Sequence, residues 1–348
     1  MLDDAAARAA ADPSDMLGAV EAWATQWRDA MQRADAIPPI DAASSAAVVC
    51  GMGGSGIAGD VARALIEPAC PIPVRLVRGH EIPGFVREGT LVVCVSYSGN
   101  TSETLACFDQ ALERGAHAIA ISAGGELGRR AEEAGALWVR PVPGLSMPRA
   151  ALPALTVPLL TVLDRAGIVT SADTIEHCAG HAERCVDAWR RGVPLQRNRA
   201  KQIATAIGSR LPLIWGSEGT QTVAALRWKA QLAENAKVPA SASMLPELCH
   251  NDIVGLEHGH AALADAILVV LRVEGGHPGQ DARLKAAVDL VQDSVGAVEI
   301  VAVGGATPAE RLVESMILGD FVSVYLAMLR GVDPTPIHAI ARLKAALE

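Results

Sequence analysis

Aromatic residues are scarce in this chain of 348: three Phe, two Tyr and six Trp make up only 3% of it, although half of its residues are hydrophobic. Its core must therefore be built mainly from Ala, Val, Leu and Ile, which suits helices packed closely on parallel strands. Cysteine motifs are missing as well. The seven cysteines, at positions 50, 70, 94, 107, 178, 185 and 249, are odd in number and contain no Cys-x-x-Cys pair. That argues against a disulfide framework or a zinc site and for reduced thiols in a cytosolic protein. Positive charge is in deficit, with 30 basic against 39 acidic residues and a net charge of −9. Neither nucleic-acid binding nor attraction to an anionic membrane is supported, and an anionic substrate would need local positive groups. No run reaches the roughly 18 uninterrupted apolar residues of a membrane span. The start, Met1-Leu2-Asp3-Asp4, has neither the basic region nor the apolar core of a signal peptide, so a cytoplasmic protein is expected.

What is present alternates. The length allows two domains of ordinary size or one large α/β unit. Residues from about Ala5 to Arg33 read as helix. Apolar runs at Ala46–Cys50, Val74–Arg78, Leu91–Val95, Ala118–Ser122 and Leu137–Arg140 read as strands, with room for crossover helices between them. A doubly wound parallel sheet is the economical arrangement. From Leu152 to Arg191 the pattern turns helical, which puts a domain link near residue 150 and predicts domains over 1–150 and 151–348. A second cycle begins with the strand Leu211–Trp215, a turn Gly216-Ser217-Glu218-Gly219-Thr220 and a helix to about Asn235, then strands at Ala266–Val273 and Val298–Val303. The strand, glycine turn and helix around Gly51 thus recur around Gly216, which reads as an internal duplication.

Two small-residue loops stand out in the first cycle: Gly51-Met52-Gly53-Gly54-Ser55-Gly56 and Ser96-Tyr97-Ser98-Gly99-Asn100-Thr101. Each joins a strand to a helix, where unpaired N–H groups and the positive end of the helix dipole attract phosphate. Gly54, Ser55, Ser96, Ser98 and Thr101 are the candidate phosphate ligands. A dinucleotide fold would also place an acidic residue after the next strand to hold a ribose, whereas Val74-Arg75-Leu76-Val77-Arg78-Gly79 ends basic. The alternative reading of the second loop is an ordinary helix cap by Thr101 or Ser102. In the second cycle the matching place holds Val273-Glu274-Gly275-Gly276, whose carboxylate would repel phosphate, so only the first cycle is expected to bind it.

Ser96-Tyr97-Ser98-Gly99-Asn100-Thr101-Ser102-Glu103-Thr104 resembles the phosphosugar-binding signature of the sugar-isomerase (SIS) domain. The tandem cycles, with Pro148-Arg149-Ala150, Glu234-Asn235-Ala236-Lys237, Glu247-Leu248-Cys249-His250-Asn251 and Ile340-Ala341-Arg342-Leu343-Lys344, resemble the bifunctional phosphoglucose/phosphomannose isomerase family. The resemblance implies two flavodoxin-like SIS domains with helical terminal segments, and interconversion of glucose 6-phosphate and mannose 6-phosphate with fructose 6-phosphate in glycolysis and gluconeogenesis. It assigns Glu234 as the base that moves a proton between C1 and C2, His250 and Lys344 to ring opening and closure, and Arg149 to the enediolate. It further implies a homodimer in which His250 reaches the partner's site.

The residue types suit these roles. Aldose–ketose isomerisation needs a base, an acid–base group for the ring oxygen and a cation for the oxyanion, with no cofactor or metal. Near the end of its helix, Glu234 feels a negative dipole that favours its protonated form, while Lys237 opposes the effect. Pro239 and Pro246 separate His250 from Glu234, so one continuous helix cannot present both. Each candidate also has a plainer reading: Glu234 as a solvated helix residue, His250 as an exposed loop histidine, Arg149 as a helix cap, Lys344 as a solvent-facing lysine on the helix Pro336–Leu347. The compact donor set Glu257-His258-Gly259-His260 matches no strong zinc spacing. A non-catalytic phosphosugar sensor is the competing function, weakened by the lack of a basic helix-turn-helix.

Overall fold

The protein is described from a computed structural model covering residues 1–41, 44–145, 147–217 and 219–346, with the side chains of Ala262 and Lys344 outside the described part. The chain forms two compact units, Ala22–Glu183 and Met1–Glu21 with Arg184–Glu348.

The N-terminal helix expected from Ala5 to Arg33 is three helices, α1 (Ala5–Ala11), α2 (Met16–Glu21) and α3 (Trp23–Ala34). Asp12-Pro13 breaks it. The Asp12 carboxylate accepts from the Met16 and Leu17 N–H groups, each at 2.8 Å, and so starts a new helix, while Pro13 has no N–H to continue the old one.

In the first unit β1 (Ala46–Cys50), α4 (Gly53–Ile66), β2 (Val74–Val77), β3 (Thr90–Val95), α5 (Ser102–Glu113), β4 (His117–Ile121), α6 (Gly125–Glu133) and β5 (Leu137–Val139) follow in order. The helical stretch then holds a short 3-10 turn at Pro148–Ala150, α7 (Leu152–Arg165) and α8 (Ala172–Trp189). All strand pairs are parallel, in the order β2-β1-β3-β4-β5, and Cys50 lies between Val77 and Cys94 in register. Alternate residues feed opposite faces. Val48, Cys50, Val92, Cys94, Ala118 and Ala120 pack with Cys107 and Phe108 of α5 and Leu127 of α6. On the other face α4 approaches through Gly59, where a Cβ would lie 3.2 Å from Val49 Cγ1. Because α7 packs on α3 and α4, this unit extends past the domain link expected near residue 150. The strand order is flavodoxin-like, and its direction reverses between β1 and β3, the place where open parallel sheets bind ligands.

The second unit contains α9 (Arg199–Ile207), β6 (Leu211–Gly216), α10 (Thr220–Glu234), β7 (Ser241–Met244), α11 (Asp252–Glu257), β8 (Ala266–Val273), α12 (Pro278–Val291), β9 (Ala297–Val303), α13 (Pro308–Leu329) and α14 (His338–Ala345). Its parallel sheet runs β7-β6-β8-β9, repeating the order of the first four strands and bearing out the duplication. Strand β7, Ser241-Ala242-Ser243-Met244, has no apolar alternation and was not legible; pairing with β6 makes it an edge strand. The first 21 residues join this unit because Lys201, fully buried, donates to Asp3 Oδ1 at 2.8 Å, while Arg191 pairs with Asp15 and Glu21.

By length and composition α13 is apolar enough to cross a membrane, although 89% of its most apolar window is buried inside the protein. It is the central helix of the unit. The Trp228 indole donates to Ser315 O at 2.7 Å, and a Cβ on Gly319 would meet that indole nitrogen at 2.4 Å, so α10 and α13 approach where Gly319 leaves room.

Candidate active site

The two loops singled out by sequence lie at the C-terminal ends of β1 and β3, which are neighbours in the sheet. They are joined directly: the Tyr97 N–H donates to Ser55 Oγ at 3.2 Å. Within the second loop Ser96 and Thr101 pair through their hydroxyls at 3.0 Å, and the Gly99 N–H donates to Ser96 Oγ at 3.2 Å. Thr101 is the residue before α5 but makes no capping bond with its side chain, so the plain helix-cap reading fails for it. Ser55 and Ser96 are buried and shape the loops, whereas Ser98 is exposed and Thr101 half-buried.

Close backbone approach explains the glycines. Gly99 has a φ of 72°, and a Cβ there would fall 1.9 Å from Gly124 O at the start of α6. Gly54 faces the 3-10 turn, where an added Cβ would lie 2.8 Å from Pro148 O and 3.2 Å from Arg149 Cα. The turn carrying Arg149, itself only 4% exposed, is thereby held against the first turn of α4. Six of the expected site residues, Gly54, Ser55, Ser96, Ser98, Thr101 and Arg149, thus belong to one unit and to one end of its sheet. A seventh residue, Tyr97, was quoted in the sequence signature without a role. Its buried hydroxyl donates to Val142 O and accepts from the Leu145 N–H, each at 2.9 Å.

Glu234, His250 and Lys344 belong to the other unit. Glu234 is the last residue of α10 and half-buried, and the Lys237 ammonium donates to its main-chain oxygen at 2.5 Å, neutralising the helix end. Sequence gave no sign of what anchors this turn. Asp320 of α13 accepts from Arg227 at 2.6 Å and from Gln231 at 2.9 Å, and Asn235 donates to Ser323 Oγ at 2.9 Å. These partners are 88 to 93 positions apart, beyond any local pattern. His250 ends the 3-10 turn Glu247–His250 and is exposed, while Glu247 accepts from the Asn251 side chain. Lys344 lies in α14, but its side chain is outside the described residues.

The matching place in the second sheet differs. After β8, Glu274 is exposed, and the His277 imidazole caps α12 by accepting from the Gly279 N–H at 3.1 Å. A side chain occupies the helix start that the first unit leaves uncapped at α5.

Comparison with known proteins agrees with this division. Residues 42–144 match the SIS domain, and residues 196–347 match the bacterial phospho-glucose isomerase C-terminal SIS domain. The bifunctional phosphoglucose/phosphomannose isomerase of Caldicellulosiruptor bescii is 37% identical over 301 residues, covering 86% of this chain and 88% of the relative. That of Aquifex aeolicus is 33% identical over 306 residues, covering 86% and 90%. Among solved structures, the C-terminal domain of glucosamine-fructose-6-phosphate aminotransferase from Francisella tularensis shares the fold at a TM-score of 0.73 and 15% identity, covering 92% of this chain and 97% of that one. With both halves matched and such identity along nearly the whole length, the chain belongs to the bifunctional phosphoglucose/phosphomannose isomerase family.

Proposed function

We propose that the protein is an aldose–ketose isomerase that interconverts glucose 6-phosphate and mannose 6-phosphate with fructose 6-phosphate. Membership of the bifunctional isomerase family carries this reading. The paired loops of the first unit support it, because uncapped amides and hydroxyls at a sheet switch point are suited to a phosphate. The phosphate is held by the amides of the second loop and the start of α5 with the Ser98 and Thr101 hydroxyls, while Ser55, Ser96 and Gly54 keep the loops in shape. His250 and Lys344 exchange the proton of the ring oxygen as the sugar opens. Glu234 then takes the proton from C2 of the aldose and returns it to C1 of the planar enediolate, as the hydroxyl proton passes from O2 to O1. The Arg149 guanidinium stabilises the oxyanion between these steps. Proton transfer of this kind needs no cofactor or metal. Because the enediolate is planar, protonation of C2 on either face gives either aldose. We also propose a cytoplasmic homodimer, in which His250 serves the partner's site, acting in glycolysis and gluconeogenesis; the exposure of His250 in the single chain is compatible with that.

The test is turnover of fructose 6-phosphate by metal-free protein and by its Glu234→Gln variant, with glucose 6-phosphate and mannose 6-phosphate quantified separately. Both products from the native chain, and a loss of at least ~100-fold in the variant, are expected. Full turnover in the variant would remove Glu234 from its role. No product from the native chain would favour a non-catalytic phosphosugar sensor.

A further inference from the structure

We infer that Tyr97 is a positioning residue: its hydroxyl sets the path of the chain that leads to Arg149 and couples that path to the hydroxyl loop. Between β5 and the turn at Pro148, the described residues form no helix or strand. Such a strap needs tethers from elsewhere. Val142-Pro143-Gly144-Leu145 has the residue pattern of a type II turn, with Pro at the second position and Gly at the third, where φ is 79°. An ordinary turn of this kind closes with a bond from the fourth N–H to the first carbonyl. Here the Tyr97 hydroxyl is inserted between them, donating to Val142 O and accepting from the Leu145 N–H, each at 2.9 Å.

Both hydrogen-bonding functions of the phenol are therefore committed to the strap, and the residue is only 8% exposed. At its backbone the same residue donates to Ser55 Oγ and stands between Ser96 and Ser98. Four residues beyond Leu145 the chain reaches Arg149, whose backbone lies against Gly54. Through these bonds the Tyr97 side chain links the hydroxyl loop to the strap. Without its hydroxyl the turn can close on itself by a direct Leu145 N–H to Val142 O bond, which shortens the strap ahead of Arg149.

The inference rests on the phosphate and Arg149 roles proposed above, and the experiment separates them. The full-length protein and its Tyr97→Phe variant, which keeps the backbone bond to Ser55, are compared by hydrogen exchange with and without inorganic phosphate. In the native protein phosphate is expected to slow exchange over residues 96–104 and also over 142–150; in the variant it slows only the first. In turnover of fructose 6-phosphate, kcat is expected to fall about tenfold in Tyr97→Phe, as for a misplaced catalytic group. Inhibition by inorganic phosphate should stay within about twofold, and adding Tyr97→Phe to Arg149→Ala should cost nothing beyond Arg149→Ala alone. Equal protection of 142–150 in the variant, or native kcat, would overturn the inference while leaving the phosphate site standing. Absence of protection over 96–104 in the native protein would overturn the phosphate reading, and the inference with it.

Discussion

The Tyr97 N–H, in the loop after β3, donates to Ser55 Oγ on the first turn of α4 with 3.2 Å between nitrogen and oxygen, and so ties that loop to the helix that follows β1. Both residues are buried, at 6% and 8% exposure, so water cannot replace the bond cheaply.

Ser55→Ala leaves a buried N–H without its acceptor, which costs about 1–3 kcal/mol. Because the loss loosens the loop proposed to hold phosphate, the variant should show weaker inhibition by inorganic phosphate and a higher KM for fructose 6-phosphate, with kcat less affected. Thermal unfolding and steady-state kinetics check both parts; unchanged phosphate inhibition would show that the two loops do not need this link.

Asp320→Ala removes a carboxylate partner from the Arg227 guanidinium, a residue only 2% exposed, and the acceptor of Gln231. Breaking one side of a buried pair typically costs about 3–5 kcal/mol, whereas replacing both members with apolar residues of similar size is often neutral. Urea unfolding of Asp320→Ala beside an Arg227→Met/Asp320→Leu double variant should therefore place the double variant well above the single one. Equal stability would mean that the pair contributes little to the packing of α10 on α13.

Burial pushes both tyrosine hydroxyls, Tyr97 and Tyr325, above the usual phenol range. Below the unfolded value of about 10 both phenols are protonated in folded and unfolded chains alike, so their contribution to stability is complete there. As pH rises past that value the unfolded chain releases its protons first, and this stability is lost toward the folded values. Tyrosinate absorbance should accordingly lag behind that of the urea-unfolded protein in an alkaline titration. Superimposable curves would contradict the buried, doubly bonded setting of Tyr97.

Much of the architecture was written locally. Val48, Val49, Val92, Val93, Ile119 and Ile121 sit in short apolar runs of the kind buried parallel strands show, and the glycine- and hydroxyl-rich turns after β1 and β3 mark where those strands end. The Ser96–Thr104 signature and the segments around Arg149, Glu234 and His250 were likewise readable as chain-local patterns. Edge strand β7 was not, because Ser241-Ala242-Ser243-Met244 gains its strand character from pairing with β6 rather than from its own residues.

The sequence by itself determined the buried central strands, the glycine- and hydroxyl-rich turns that follow β1 and β3, and to which family the chain is similar. Only the tertiary structure decided that Ser55 meets Tyr97, that Arg149 lies against Gly54 and that Asp320 anchors the end of α10. Periodicity and turn chemistry act between residues a few positions apart. These pairings join residues from 42 to 95 positions apart and exist because closing a packed core brings distant segments together, where most buried polar groups find their partners.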